Sequence, residues 1–209
     1  MDKSHKYLIL KDHGVIIREI MKSCTGTLRG YFLINPAQSY GSVEHHTTAV
    51  PSDHIKELEE SHNFKSIAFV RNPFSRLVSC YLQKIYYYHD PNRPGGIGIN
   101  HHRLNKHSSF KDFINLVCST PDNEADCHFR SMHVSIPENC TVGRAENFEK
   151  DFYSFLKSNG INQHPIERRN TTFDKKDSKH YTEYYTPELI KMVSERYKED
   201  LERFGYKFD

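Results

Sequence analysis

The side chains with the clearest chemistry in this sequence are two cations and the small polar residues around them, and the chemistry is anion binding. Arg71 follows an apolar run, Ile67 to Val70, short enough to be a buried strand. Pro73 breaks that strand, and its fixed φ and missing N–H suit the first turn of a helix. Leu77, Val78, Tyr81, Leu82 and Ile85 then recur at helical spacing. A guanidinium fork therefore leaves the C-terminal end of a strand beside a helix N-terminus, where free N–H groups and the macrodipole favour an anion. In open α/β sheets that crevice is where ligands bind. Ser79, two turns into the helix, could present a hydroxyl to the same anion.

A second such place lies upstream. Lys22-Ser23-Cys24-Thr25-Gly26-Thr27-Leu28 separates an apolar run from a helix expected to reach about Leu33. Small and hydroxylated residues there make a loop whose N–H groups can cradle a phosphate while Lys22 neutralises it. The spacing GxxxxGK[ST] is absent, which disfavours a P-loop nucleoside triphosphatase.

The elements that position these loops can be read in order. Tyr7 to Leu10 and Val15 to Ile20 are apolar runs joined by Lys11-Asp12-His13-Gly14, and they read as a β-hairpin whose second strand reaches Met21. Residues 35–52 read as a polar loop, followed by a charged helix over 53–62 with Ser52 as a cap. Residues 91–105, rich in Pro, Gly, Asn and His, follow Tyr86-Tyr87-Tyr88 and form a loop long enough to be expected to serve function. A helix over 110–118, capped by Ser108 or Ser109, presents Phe110, Phe113, Ile114 and Val117 on one face. Val142-Gly143-Arg144 reads as a strand end leading into a helix that buries Phe148, Phe152 and Phe155. The charge run over 168–179 reads as a solvated basic loop. Thr186-Pro187 opens a last helix running to Phe204, with Leu189, Val193, Tyr197 and Leu201 as its buried stripe and Gly205 as its C-cap.

Several of these segments carry a family resemblance. Val70-Arg71-Asn72-Pro73-Phe74-Ser75-Arg76-Leu77-Val78-Ser79-Cys80-Tyr81 resembles the 3′-phosphate-binding segment of sulfotransferases that use 3′-phosphoadenosine 5′-phosphosulfate (PAPS), nearest to their carbohydrate (Golgi-type) branch. The Lys22 loop resembles the family's 5′-phosphosulfate loop, with Lys22, Thr27 and Leu28 on its Lys, [ST] and Leu. Met21 stands where the pattern has Pro, and Cys24-Thr25-Gly26 permutes its small residues. Asp126-Cys127-His128-Phe129-Arg130-Ser131 resembles a D-x-H-[FW] segment, with Met132 where Gln is expected. Val142-Gly143-Arg144-Ala145-Glu146-Asn147-Phe148 and the closing Tyr184-Tyr185 and Phe204-Gly205-Tyr206 match further family segments.

The resemblance implies an α/β, P-loop-like three-layer fold with a central, mainly parallel sheet flanked by helices. It implies transfer of the sulfuryl group of PAPS to a carbohydrate hydroxyl, releasing 3′-phosphoadenosine 5′-phosphate (PAP). Lys22, Ser23, Cys24, Thr25, Gly26, Thr27 and Leu28 are then the 5′-phosphosulfate cradle, Arg71 and Ser79 hold the 3′-phosphate, and Arg144 is a further nucleotide contact. Lys22 stabilises charge growing on the leaving phosphate. The acceptor hydroxyl needs a base, and histidine suits that near neutral pH. His128 is the candidate, with His101, His102 and His133 as rivals. Two other classes stay open: a kinase-like nucleotide phosphotransferase, and a PAP-binding module without turnover.

Composition bounds these readings. A chain of 209 residues, 36% hydrophobic and 12% aromatic, fits one α/β domain over 1–209. A net charge of +2 disfavours a nucleic-acid binder, so any anion site is local. The start is polar and no run approaches a membrane span, which suggests a cytoplasmic bacterial enzyme or the soluble catalytic domain of a Golgi-anchored one. Five scattered cysteines argue against a disulfide scaffold or structural zinc, and the 14 histidines lack metal-site spacing, so no metal is expected. The sequons at Asn139 and Asn170 read as chance. Acceptor identity and oligomeric state are not encoded in any motif.

Overall fold

The computed structural model describes residues 6–34, 43–46, 52–86, 104–105, 107–167 and 179–209. They fall into two compact units. The first is drawn from Met1–Arg71 and Met132–Asn170, the second from Asn72–Ser131 and Thr171–Asp209. His101, His102 and most of the expected 91–105 and 168–179 loops lie outside the described residues.

The strands are β1 Lys6–Leu10, β2 Val15–Glu19, β3 Val43–His46, β4 Lys65–Val70 and β5 Thr141–Arg144. The α-helices, in chain order, are α1 Thr25–Arg29, α2 Ser52–Glu60, α3 Pro73–Tyr81, α4 Phe110–Ser119, α5 Phe148–Ser158, α6 Pro187–Arg196 and α7 Lys198–Phe204.

The first unit holds the whole sheet, in the order β3-β1-β2-β4-β5. The expected hairpin is present: β1 and β2 pair antiparallel with Leu10 opposite Val15, and Gly14 takes φ 60° at the turn, which a side chain would resist. β2 pairs parallel with β4, and β4 with β5. β3 returns antiparallel to β1. The protein is therefore α/β, but its sheet is mixed rather than mainly parallel, because the reversed strand β1 sits inside it and makes both of its pairings antiparallel.

Alternation along the strands assigns the faces. Leu8, Leu10, Val15, Ile17, Ile67 and Phe69 pack with Leu28, Tyr31 and Phe32 after the Lys22 loop and with Phe148, Phe152 and Phe155 of α5. Tyr7, Ile9 and Ile16 point the other way, onto Ile55 and Leu58 of α2. Helices thus cover both faces. Each fully buried Leu, Ile or Phe here contributes about 1.5–3 kcal/mol relative to exposure.

The second unit is helical. α3 has no exposed face and packs through Phe74, Leu77, Val78 and Tyr81 against Phe110, Phe113 and Val117 of α4 and Leu189 and Val193 of α6. The caps at Ser109 and Thr186 follow the sequence, and Asn72 adds a third. Asn72 accepts from the Phe74 N–H with Pro73 next, Ser109 and Asp112 form a reciprocal capping box, and Thr186 caps α6.

Four local expectations change. β2 ends at Glu19, two residues before Met21. The helix after the Lys22 loop changes winding, passing from α1 into a π-helical turn over Gly30–Ile34. Residues 43–46 form a strand within the supposed loop, at the edge of the sheet beside β1. The last helix is two, α6 and α7, because Tyr197 leaves helical geometry at φ −110°, ψ 24° while its buried hydroxyl bonds the Phe129 carbonyl.

Candidate functional site

The C-terminal ends of the three adjacent parallel strands supply the cations of the first unit. β2 leads into Lys22, β4 into Arg71, and β5 ends on Arg144, paired with Val70. Ligands of open α/β sheets bind outside this edge. Arg71 Nη1 donates to the Lys22 carbonyl at 3.3 Å, so the two separately recognised segments meet. The Arg144 N–H donates to Asp151 Oδ2 at 2.8 Å, fixing the end of β5 to the first turn of α5.

The Lys22 loop has unusual backbone geometry. Lys22 and Cys24 both take left-handed conformations, φ 70° and 64°. Each costs on the order of 1–2 kcal/mol for a residue with a Cβ. The Ser23 N–H between them closes the turn onto the Ile20 carbonyl at 3.1 Å, and the Leu28 N–H donates to the Cys24 carbonyl at 3.0 Å. Cys24 gives α1 no side-chain cap, so the first turn of that helix has no hydroxyl or carboxylate of its N-cap over it. Between the two strained residues, the Ser23 hydroxyl is buried and has no hydrogen-bond partner among the described residues. A buried unpaired hydroxyl costs about 1–3 kcal/mol, which a bound oxyanion would recover.

The loop is closed at its base. Arg29, the last residue of α1, binds Glu19, the last of β2, through Nε at 2.7 Å and Nη2 at 2.6 Å. The Glu19 side chain is fully buried and that of Arg29 is 31% exposed. This two-pronged pair fixes the separation of strand and helix on either side of Lys22. Thr27 and Leu28 are buried, while Thr25 and Gly26 are half-buried.

Ser79 and His128 belong to the second unit. Ser79 is buried on α3, 2% exposed. His128 Nδ1 lies 2.6 Å from Asp126 Oδ1, and the same oxygen accepts the His128 N–H at 2.8 Å. With the proton on Nδ1, Nε2 carries the lone pair a general base needs. Burial works to raise the Asp126 carboxyl, but its hydrogen bond and charge interaction with His128 outweigh that and hold it below the ordinary value. His133 lies in a short 3₁₀ turn. Met132, where the resemblance led to an expected Gln, is 1% exposed and apolar.

Asp126, Cys127 and His128 also form the one trio of close potential metal donors among the described residues. Two ligands of one zinc ion stand about 3.3 Å apart at tetrahedral angles and ordinary bond lengths. The 2.6 Å separation of Oδ1 and Nδ1 is that of a shared proton.

Sequence reasoning passed over Asp126 as an orienting group, although its place two residues before His128 was the signal. It passed over the Glu19–Arg29 pair and Arg76 as well, because spacing does not reveal which distant residues a buried side chain will meet.

The first unit thus gathers Lys22, Arg71 and Arg144 at one edge of its parallel strands, beside a loop with two left-handed residues. Over residues 5–207 the sequence matches the profile of the sulfotransferase family, and the chain belongs to that family, transferases of the sulfuryl group. No curated protein and no solved structure matches the chain. No helix among the described residues is long and apolar enough to cross a membrane.

Proposed function

We propose that this protein transfers the sulfuryl group of PAPS to a hydroxyl of a carbohydrate acceptor, that 1–209 acts as one P-loop-like sulfotransferase domain, and that Lys22 and Arg71 hold the donor. The observation that carries the reading is the meeting of the Lys22 loop and Arg71 at the ends of β2 and β4, with a buried hydroxyl, unpartnered among the described residues, between the strained ones. A nucleotide with phosphate at both 3′ and 5′ positions needs two anion subsites, and an arginine fork beside a lysine loop meets that need.

In this reading the backbone from Ser23 to Leu28 surrounds the 5′-phosphosulfate, and the Ser23 hydroxyl gains its missing partner there. Arg71 and Ser79 hold the 3′-phosphate, which an ATP-like nucleotide lacks, and Arg144 adds positive charge at the same strand edge. His128 Nε2 takes the proton of the acceptor hydroxyl as its oxygen attacks sulfur. The bond from sulfur to the 5′-phosphate oxygen breaks, and Lys22 stabilises the charge left on that oxygen. Such in-line transfer depends on positioning and charge neutralisation rather than on a covalent enzyme intermediate. The carbohydrate acceptor rests on the branch resemblance of the segment 70–81.

The test is transfer of radiolabel from [35S]PAPS to a panel of unsulfated polysaccharides and lipid-linked sugars, with Lys22→Ala alongside. Label on at least one glycan, lost in the variant, supports the reading. PAP binding with no label moved, even in a single turnover, contradicts it.

A further inference from the structure

Arg76 is the second arginine of the segment that carries Arg71, and the proposed chemistry gives it nothing to do. It is 2% exposed. A guanidinium is buried only where its donors are used. Arg76 Nη1 donates to the Arg130 carbonyl at 2.7 Å and Nη2 to the Cys127 carbonyl at 3.3 Å. Those two carbonyls bracket His128.

The peptide groups around His128 are fixed one after another. In the 127–128 peptide, Arg76 holds the carbonyl and Asp126 Oδ1 holds the N–H. The Phe129 and Arg130 N–H groups both donate to the Asp126 carbonyl, at 3.0 and 2.9 Å. The Phe129 carbonyl accepts from the buried Tyr197 hydroxyl. In the 130–131 peptide, Arg76 holds the carbonyl and Asp122 holds the N–H, at 2.8 Å. Arg196 in turn grips Asp122 and the Ser131 hydroxyl. The backbone that aims the imidazole is thus set by Arg76 of α3, by Asp122 and Asp126, and by Arg196 and Tyr197 at the end of α6, and Arg76 touches it at two points.

We propose that Arg76 is a positioning residue for His128, holding the imidazole in the Nδ1–H form against Asp126; its catalytic purpose rests on the reading of His128 as the base. Lysine at position 76 keeps the charge but cannot span two carbonyls in one plane. A misplacement of about 1 Å at a reacting group can cost on the order of 100-fold in rate.

The test uses the full chain labelled with [15N]histidine. In the wild type, the His128 ring nitrogens should report a single tautomer with a slowly exchanging Nδ1 proton. In Arg76→Lys that proton should exchange rapidly and the tautomers should mix. Tyr197→Phe, which removes one hydroxyl from the same backbone, should give a smaller change of the same kind should the arginine variant fold poorly. The thermal shift produced by PAP should stay within experimental error of the wild type in both. A purely structural role would lower the unfolding temperature and leave the tautomer alone, and an unchanged ring in both variants overturns the proposal. Loss of the PAP shift would make Arg76 a nucleotide contact and overturn it too. On a glycan that accepts label, Arg76→Lys should lower kcat about 100-fold with the KM for PAPS unchanged, and should cost little more in a His128→Ala background. A His128→Ala enzyme with full kcat refutes the base reading separately, and with it the catalytic purpose of the clamp.

Discussion

Replacing Arg29 with methionine removes one half of the pair that closes the Lys22 loop. Methionine keeps most of the apolar stem, so the change is chiefly electrostatic. Glu19 is left with a side chain of 0% exposure and without the two charge-assisted bonds of 2.7 and 2.6 Å. Breaking a buried ion pair from one side costs about 3–5 kcal/mol, because the remaining charge stays out of water and loses its two strongest bonds. Arg29 itself is 31% exposed, so part of its hydration was never lost, and the low end applies, about 3 kcal/mol. In a chain of this size each kcal/mol moves the unfolding midpoint by about 2–4 °C, which gives a fall of about 6–12 °C. Scanning calorimetry and urea unfolding measure it. Removing both partners, with Glu19→Met and Arg29→Met together, should recover a large part of the loss, since no charge is then stranded. A single-variant cost under about 1 kcal/mol, or a double variant as unstable as the sum of the singles, would refute the reasoning.

Other outcomes follow from particular contacts. Gly143→Ala would place a Cβ 2.5 Å from a ring carbon of Phe69, which is wedged against Phe148 and Phe152, and should cost about 1–3 kcal/mol in urea unfolding. Asp122→Asn should cost about 2 kcal/mol at neutral pH through its weakened bonds to Arg196. Burial works to raise the Asp122 carboxyl, but hydrogen bonds from Arg196 and Ser131 outweigh it, so its folded pKa lies below the ordinary 3.8. Its contribution is therefore complete above 3.8 and disappears as pH falls through the lower folded value, and the gap between wild type and variant should close below about pH 4. Lys22→Ala should lower kcat for sulfuryl transfer by about 100- to 1,000-fold, the usual loss when a charge-stabilising donor is removed, measured with saturating PAPS.

Local chemistry made much of this fold legible in advance. The hairpin with its left-handed Gly14, the start of α3 at Pro73, the caps at Ser109 and Thr186 and the C-cap Gly205 all depend on neighbours within a few residues, and each stands where the sequence pointed. The Lys22 loop and the Arg71 turn were legible as strand-end loops because cations and small residues there are themselves a local signal. What escaped was set at long range. The strand over 43–46 has no hydrophobic run and exists by pairing with β1. The break at Tyr197 follows from a hydroxyl bonded to a carbonyl at residue 129, and the pair of Glu19 with Arg29 from the return of a helix beside its strand. The position of β1 inside the sheet, which makes it mixed, is a fact of topology that hydrophobic patterning does not carry.

The most direct measurement is the thermal midpoint of the purified chain with PAP, with ATP and with neither, beside Arg71→Ala. At 100 times its dissociation constant a ligand stabilises by about 2.7 kcal/mol, a shift of about 5–10 °C here. The account predicts that shift with PAP, much less with ATP, and its loss in Arg71→Ala. Stabilisation by ATP with none from PAP would contradict it.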